Sequence, residues 1–552
     1  LGHITTYNTY DGNGRLKKMT DPNGLVTEYG YDLRGRVTTV TQTPPVIAAR
    51  TTSFTYKPWG DIETASFSDG TKLTYAYYDS HNVSRVADKA RNYINYFYDT
   101  KGNVTTTENR GSDNALSRYV DYTHDIRNRL DTINAAGSMT DVNYDAVGNL
   151  LSIIDPNKNA TTTYTPDELG RNTLTLEHGL APTTFKYDVG GRLATTSSPF
   201  DYPSGINQKY ENTYTYNDHG DILTSVSPDT GKTVYTYDDA GNIKTKLDAR
   251  NVLVTYTYDA LNRPTFIDYP GTAEDITLQY DKEKSGDPVC TAGKGRLCRV
   301  VDASGATIYA YDVFGNVLSD THSQNGTVRY TYDNGNRINT ITYPSGMTVT
   351  YKRNPYTGQI TSIEQKAVGA TSPTVIASNR LYYSDGLLKS QTYGNNVNEV
   401  RTYDLQGRMT KQTVGGVVRD YSLYDTNGNL KTLTVTGIST TPRVFNYAYN
   451  KFDLLESDQP HSIFSIAYGY DVNGSGNRTS RTVTILSSMA TTTLLYTYTP
   501  RTNRLATVGG KAVTLDASGN MKDDSLGMTY VYNNAGTLQT ATKSGALVGT
   551  YT

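Results

Sequence analysis

One seven-residue phrase recurs in phase along the whole chain, and it limits the fold more than any bulk property does. It reads Tyr10-Asp11-Gly12-Asn13-Gly14-Arg15-Leu16 at its first clear copy and Tyr31-Asp32-Leu33-Arg34-Gly35-Arg36-Val37 at the second. Further copies begin at Tyr98-Asp99, Tyr144-Asp145, Tyr187-Asp188, Tyr237-Asp238, Tyr258-Asp259, Tyr311-Asp312, Tyr403-Asp404 and Tyr424-Asp425. Degenerate copies at Tyr56, Tyr216, Tyr332, Tyr449, Tyr470 and Tyr532 fill most gaps. Clear neighbours lie about 20–22 residues apart, so roughly two dozen units cover the chain.

Each unit reads as two strands and two turns. Tyr and Thr alternate on the approach, as in Val254-Thr255-Tyr256-Thr257-Tyr258, which is the period of a strand with unlike faces. Asp-x-x-Gly then turns the chain, the Asp oxygen accepting local backbone N–H groups and the Gly supplying a positive φ. Arg or Asn and an aliphatic residue start the return strand. A second turn, such as Asp21-Pro22-Asn23-Gly24 or Pro344-Ser345-Gly346, closes the unit. Hairpins joined this way pair edge to edge, and strand twist coils the product. The expected fold is all-β: one continuous antiparallel hairpin ribbon over residues 1–552, coiled into a spiral shell or solenoid. Two strands per unit at ~4.8 Å spacing give a ribbon of about 230 Å, or one ring roughly 70 Å across. Segments 197–208, 283–299 and 367–379 break the period and are where binding loops would be grafted.

Composition agrees with a thin structure. Apolar residues are 36% of the chain, and 48 Tyr stand against 10 Phe and one Trp. Aromatics at 11% and a net charge of −2 argue against disorder. The expectation is that tyrosine rings stack on one another between repeats, with ladders of Arg and Asp from neighbouring units. The same near-neutral charge leaves no footprint for nucleic acid, and no stretch is apolar enough for a membrane span.

Catalytic chemistry finds no support in the pattern. The acids recur at turn positions in every unit, where turn geometry requires them, rather than as a pair across a substrate. His3, His81, His124, His178, His219, His322 and His461 are scattered. Asp471-Val472-Asn473-Gly474-Ser475 opens like a calcium loop, but Thr482 stands where a bidentate Glu is needed, so it reads as a turn. No metal or cofactor is expected. Cys290 and Cys298 leave two readings open: a local disulfide, fitting an oxidising compartment, or two unlinked thiols on adjacent strands.

The phrase Tyr-Asp-x-x-Gly-Arg-Leu, led in by Thr-x-Tyr-x-Tyr, resembles the YD-repeat family, which includes bacterial Rhs proteins, cocoon components of Tc insecticidal toxin complexes, and teneurins. The resemblance implies a β-strip that spirals into a hollow shell, enclosing a toxic polypeptide in the bacterial members and supporting adhesion in teneurins. It implies a non-catalytic scaffold of a secreted or surface protein, bacterial in origin, whose partners are polypeptide cargo or further copies of itself. An adhesin with glycan-binding tyrosine rows and a self-assembling fibre are the alternatives. The family's self-cleaving core block has no counterpart here, and the chain reads as an excerpt of a longer protein.

Overall fold

The computed structural model describes residues 3–45, 47–156, 161–178, 181–200, 208–281, 290–459, 463–471 and 476–551. It contains fifty strands and, among the described residues, no helix. Hydrogen bonding places the first 45 strands in one antiparallel sheet and the last five in another. The all-β hairpin ribbon expected from the repeat is therefore what the chain forms. Within each sheet strands pair with their neighbours in sequence, as Gly231–Tyr237 with Ile243–Leu247, and that strand with Leu253–Tyr258.

The Tyr-Asp turn has one geometry in most copies. In the Tyr237 copy, Asp238 N–H donates to the Asn242 carbonyl (2.9 Å) and Gly241 N–H to the Asp238 carbonyl (3.0 Å). A one-residue register shift between Thr236 and Tyr237 accompanies it, the signature of a turn followed by a left-handed residue and a bulge. Gly241 supplies that residue at φ +84°, and Asn262 does so at +58° in the next copy.

The two faces differ as the alternation requires. Thr236, Thr257 and Thr331 are exposed, and their hydroxyls meet cross-strand partners: Thr236 with Thr245 at 2.6 Å and Thr331 with Thr340 at 2.7 Å. The opposite face carries the tyrosines and is half-buried. Its most buried position lies four residues before the turn tyrosine, occupied by Thr27, Val254 and Ile466 ahead of Tyr31, Tyr258 and Tyr470. Burial of this kind is thin, and cross-strand and turn bonds carry a large share of the cohesion.

By compactness the chain divides into two units. One comprises Leu1–Arg129, Asn134–Ala136 and Leu278–Arg419; the other comprises Leu130–Ile133, Gly137–Thr277 and Asp420–Thr552. Each unit thus contains an early and a late stretch of ribbon. Parts of the period breaks lie in strands: residues 374–379 in Thr374–Tyr382, 297–299 in Leu297–Asp302, and 197–200 in Leu193–Phe200. Residues 201–207 and 282–289 of those breaks lie outside the described residues, as do His461 and most of the Asp471 turn.

Candidate functional site

The tyrosine hydroxyl reaches back one repeat. Tyr31 donates to the Leu16 carbonyl (2.6 Å), Tyr98 to Val83 (3.0 Å), Tyr187 to Asn172 (2.8 Å), Tyr237 to Ile222 (2.7 Å) and Tyr258 to Ile243 (2.8 Å). Tyr311 does the same to Leu297 (2.6 Å) and Tyr403 to Leu388 (3.1 Å). Each acceptor is the first residue of the preceding return strand, or lies just beside it. Tyr10 precedes the others and is exposed; Tyr144 and Tyr424 hold the equivalent place at the ends of their strands.

Each aspartate organises its own turn. Asp238 Oδ1 accepts from Ala240 N–H (3.0 Å) and Asn242 N–H (2.9 Å), while Oδ2 accepts from the Asn242 amide (3.0 Å). Asp11, Asp32, Asp188, Asp259 and Asp404 take the Nε–H of Arg15, Arg36, Arg192, Arg263 and Arg408 at 2.6–2.8 Å. Asp99, Asp145, Asp312 and Asp425 take the amides of Asn103, Asn149, Asn316 and Asn429 at 2.8–3.0 Å. These bonds favour the anion. The Asn242 amide and N–H hold the Asp238 carboxyl below its ordinary value, and Asn103 does so for Asp99.

The expected Arg–Asp ladder between neighbouring units is thereby corrected. The Arg sits on the same turn as its Asp, four residues on, and the bulge brings the two together. Its outer face serves the next repeat instead: Arg15 lies over the Tyr31 ring at 4.6 Å, Arg36 over Tyr56 at 4.4 Å and Arg171 over Tyr187 at 4.5 Å. Ring-on-ring stacking is corrected as well. The close tyrosine pairs among the described residues are few, such as Tyr78–Tyr98 and Tyr383–Tyr403, both edge to face. In each a tyrosine replaces the turn aspartate. Hairpin spacing sets successive turn tyrosines about 10 Å apart, too far for stacking but within reach of a guanidinium.

Cys290 and Cys298 form a disulfide with Cα atoms 5.6 Å apart. Its loop belongs to a split turn. Asp281 N–H donates to the Arg296 carbonyl (3.0 Å), and Gly295 N–H donates to Asp281 Oδ1 (2.7 Å). Tyr280-Asp281 and Gly295-Arg296-Leu297 are thus the two halves of one phrase, with the 283–299 break opening between them.

Sequence reasoning missed a buried acid. Glu399 occupies the buried position four residues before Tyr403 and is 0% exposed. Its carboxylate accepts from Arg401 Nε and the Gln391 and Gln412 amides, each at 2.6 Å, and from the Tyr393 hydroxyl at 2.7 Å. Burial pushes the group up, but these four donors outweigh it and hold it at about 2, against an ordinary 4.5. The signal available was a charged residue at the repeat position that Thr27, Val254 and Ile466 fill in other copies.

A second level of organisation joins early to late ribbon within each unit. In the first, the Asn23 amide donates to the Lys294 carbonyl and accepts from Lys294 N–H, both at 3.0 Å. Asp69 pairs with Arg337 at 2.9 Å, and the Gln406 amide donates to the Ala135 carbonyl at 2.7 Å. In the second, Asn427 donates to Asp155 (3.0 Å), Asn503 N–H to Asp229 (2.6 Å), and Arg250 to the Asn533 and Asn534 carbonyls (2.9 and 2.7 Å). Second turns of the early stretch meet Tyr-Asp turns of the late stretch, at separations of 261–288 residues. This seam is the candidate functional feature.

Among the described residues no group of three or more His, Cys, Asp or Glu is placed to hold a metal ion. Asp458 is pushed up by burial and leaves Oδ1 buried and unpaired, a lone acid rather than a pair. No helix is long and apolar enough to cross a membrane.

Two family models match the chain, RHS Repeat over residues 10–43 and Teneurin YD-shell over residues 85–283. No curated protein matches it by sequence. Among solved structures it is similar to TcdB2-TccC3-Cdc42, with a TM-score of 0.74 and 15% identity over 98% of this chain and 36% of that one. TcdB2-TccC3 without its hypervariable C-terminal region follows at 0.62 and 14%, again over 98% of this chain and 36% of the other. The Photorhabdus luminescens Tc holotoxin pore with TccC3-D651A gives 0.57 and 14%, over 98% and 37%. The chain therefore spans little more than a third of those proteins. The chain thus carries an RHS repeat at residues 10–43 and resembles the teneurin YD-shell over residues 85–283, and its fold is the one those Tc structures share.

Proposed function

We propose that the chain is a non-catalytic wall segment of a secreted or cell-surface YD-repeat shell, whose partner is a polypeptide held within. The observation that supports this reading is the seam. A ribbon bonded only along its strands leaves gaps between successive stretches, and a container cannot. Here the edges carry paired polar groups that join early to late ribbon in both units. The carboxylates engaged in turn geometry support a scaffold over hydrolytic chemistry, since anions held low cannot act as general acids near neutral pH.

Protease protection tests the reading. In the whole protein that carries this chain, a polypeptide inside the wall resists a broad-specificity protease until the ribbon unfolds. Digestion of every other segment at the rate of an unfolded chain, with the ribbon intact, would contradict enclosure.

A further inference from the structure

Aromatic residues at one position of the Tyr-Asp turn obey a rule in the seam. Three residues after the turn tyrosine, the described turns carry Phe, Tyr or Trp at four places: Trp59, Phe314, Tyr356 and Phe452. For Tyr356 the tyrosine position is held by Arg353, which bonds the Ile338 carbonyl (3.2 Å) as a tyrosine would. Phe314, Tyr356 and Phe452 lie on late stretches, and each meets a basic or imidazole side chain from a second turn of the early stretch in its own unit. Arg50 lies 3.8 Å over Phe314, Lys89 lies 5.0 Å from the Tyr356 centroid, and His178 stands edge-on to Phe452 at 4.9 Å.

Trp59 is the fourth and lies on an early stretch. It is 55% exposed. Its Nε1–H donates to Asp61 Oδ2 (2.7 Å), the same oxygen lies 2.8 Å from His81 Nδ1, and the imidazole stands perpendicular to the indole at 5.9 Å. The indole is thus fixed in place, beside a carboxylate, with much of its surface in solvent. The adjacent turn adds an apolar shoulder in the fully exposed Leu33, tied to the Trp59 turn by Arg34 donating to the Pro58 carbonyl.

We propose that Trp59 receives a basic side chain from the second turn of another YD ribbon, supplied by a second copy of this chain. The seam sets a cation over this ring position twice and an imidazole edge against it once, and Trp59 presents the same repeat position with the strongest cation-binding ring. Asp61 adds charge complementarity. A second copy carries the required donor: Lys366, Lys511 and Lys543 are exposed lysines at second turns of its late stretches. Tip and second turn are different surfaces, so the contact is heterologous, and each copy added leaves both surfaces open at the ends. This inference rests on reading the turn-to-turn contacts as a genuine seam.

Trp59 is the only tryptophan, so its fluorescence reports this site alone. Sedimentation velocity over rising protein concentration, with emission recorded on the same samples, tests the proposal. Concentration-dependent assemblies with a shifted Trp59 emission are expected. Trp59→Ala weakens association by about tenfold, and Trp59→Phe restores most of it. A single species at every concentration overturns the proposal, as does Trp59→Ala protein, with a native circular dichroism spectrum, associating as tightly as the parent. A cross-link between residues 117 and 384, placed within one molecule by cysteine substitution, reads the seam separately. If it forms while association fails, the Trp59 inference falls and the seam stands.

Discussion

Tyr237 carries two jobs that a phenylalanine could only half perform. Its ring covers the half-buried face, and its hydroxyl holds the Ile222 carbonyl at 2.7 Å. Tyr237→Phe should therefore cost about 1 kcal/mol, read as a lowered urea midpoint at unchanged slope. Burial pushes the hydroxyls of Tyr237, Tyr258 and Tyr332 above their ordinary value of 10.0, with Asp221, Asp238 and Asp312 adding to it. A raised value means the unfolded chain loses these protons first. The stabilisation is complete below pH 10 and is lost as pH rises through the folded values, so an alkaline unfolding limb above pH 10 should weaken in Tyr→Phe variants. Glu399 has the opposite sign. Held at about 2 against 4.5, it contributes stability that is present above pH 4.5 and disappears as pH falls towards 2. Glu399→Gln leaves Arg401 without its anion and should cost about 3 kcal/mol at neutral pH, with a flatter acid limb in urea titrations. The turn aspartates were legible from Asp-x-x-Gly itself, because their bonds are local. The tyrosine struts were not, because which carbonyl a hydroxyl meets depends on the register between two adjacent strands. Glu399 was marked only by its repeat position, since nothing local shows a Glu to be buried.

A turn is the element that sets register here, and its requirement is a left-handed residue four positions after the tyrosine. Gly241 meets it at φ +84°, and Asn128, Asn262 and Asn336 meet it at 64°, 58° and 64°. Gly241→Asn should thus be tolerated within a few tenths of a kcal/mol, whereas Gly241→Ala costs about 1–2 kcal/mol; thermal midpoints of the two variants decide it. The phrase gave the element directly, including the exposed threonine face. It did not reveal that the 283–299 break splits a turn, because Tyr280-Asp281 and Gly295-Arg296 look unrelated until Asp281 bonds both Gly295 and Arg296. The disulfide pins this loop to the strand that follows. Replacing Cys290 and Cys298 with Ser should raise amide exchange over residues 290–298, where Lys294 grips Asn23, and leave the Tyr237 and Tyr258 turns as protected as before.

At the scale of the molecule, strands account for the ribbon and the seam accounts for its lateral joining within each unit. Nothing periodic in the sequence announces the seam. Its partners lie 261–288 residues apart, and one repeat resembles the next too closely to say which pairs meet. The most direct measurement exploits Ser117 and Ser384, whose hydroxyl oxygens touch across the seam of the first unit and whose replacement by Cys changes one atom in each. Mild oxidation of the Ser117→Cys, Ser384→Cys protein should give an intramolecular disulfide, seen by mass spectrometry as one peptide pair joining those positions. Two thiols that stay reduced, or that link only between molecules, would contradict the account.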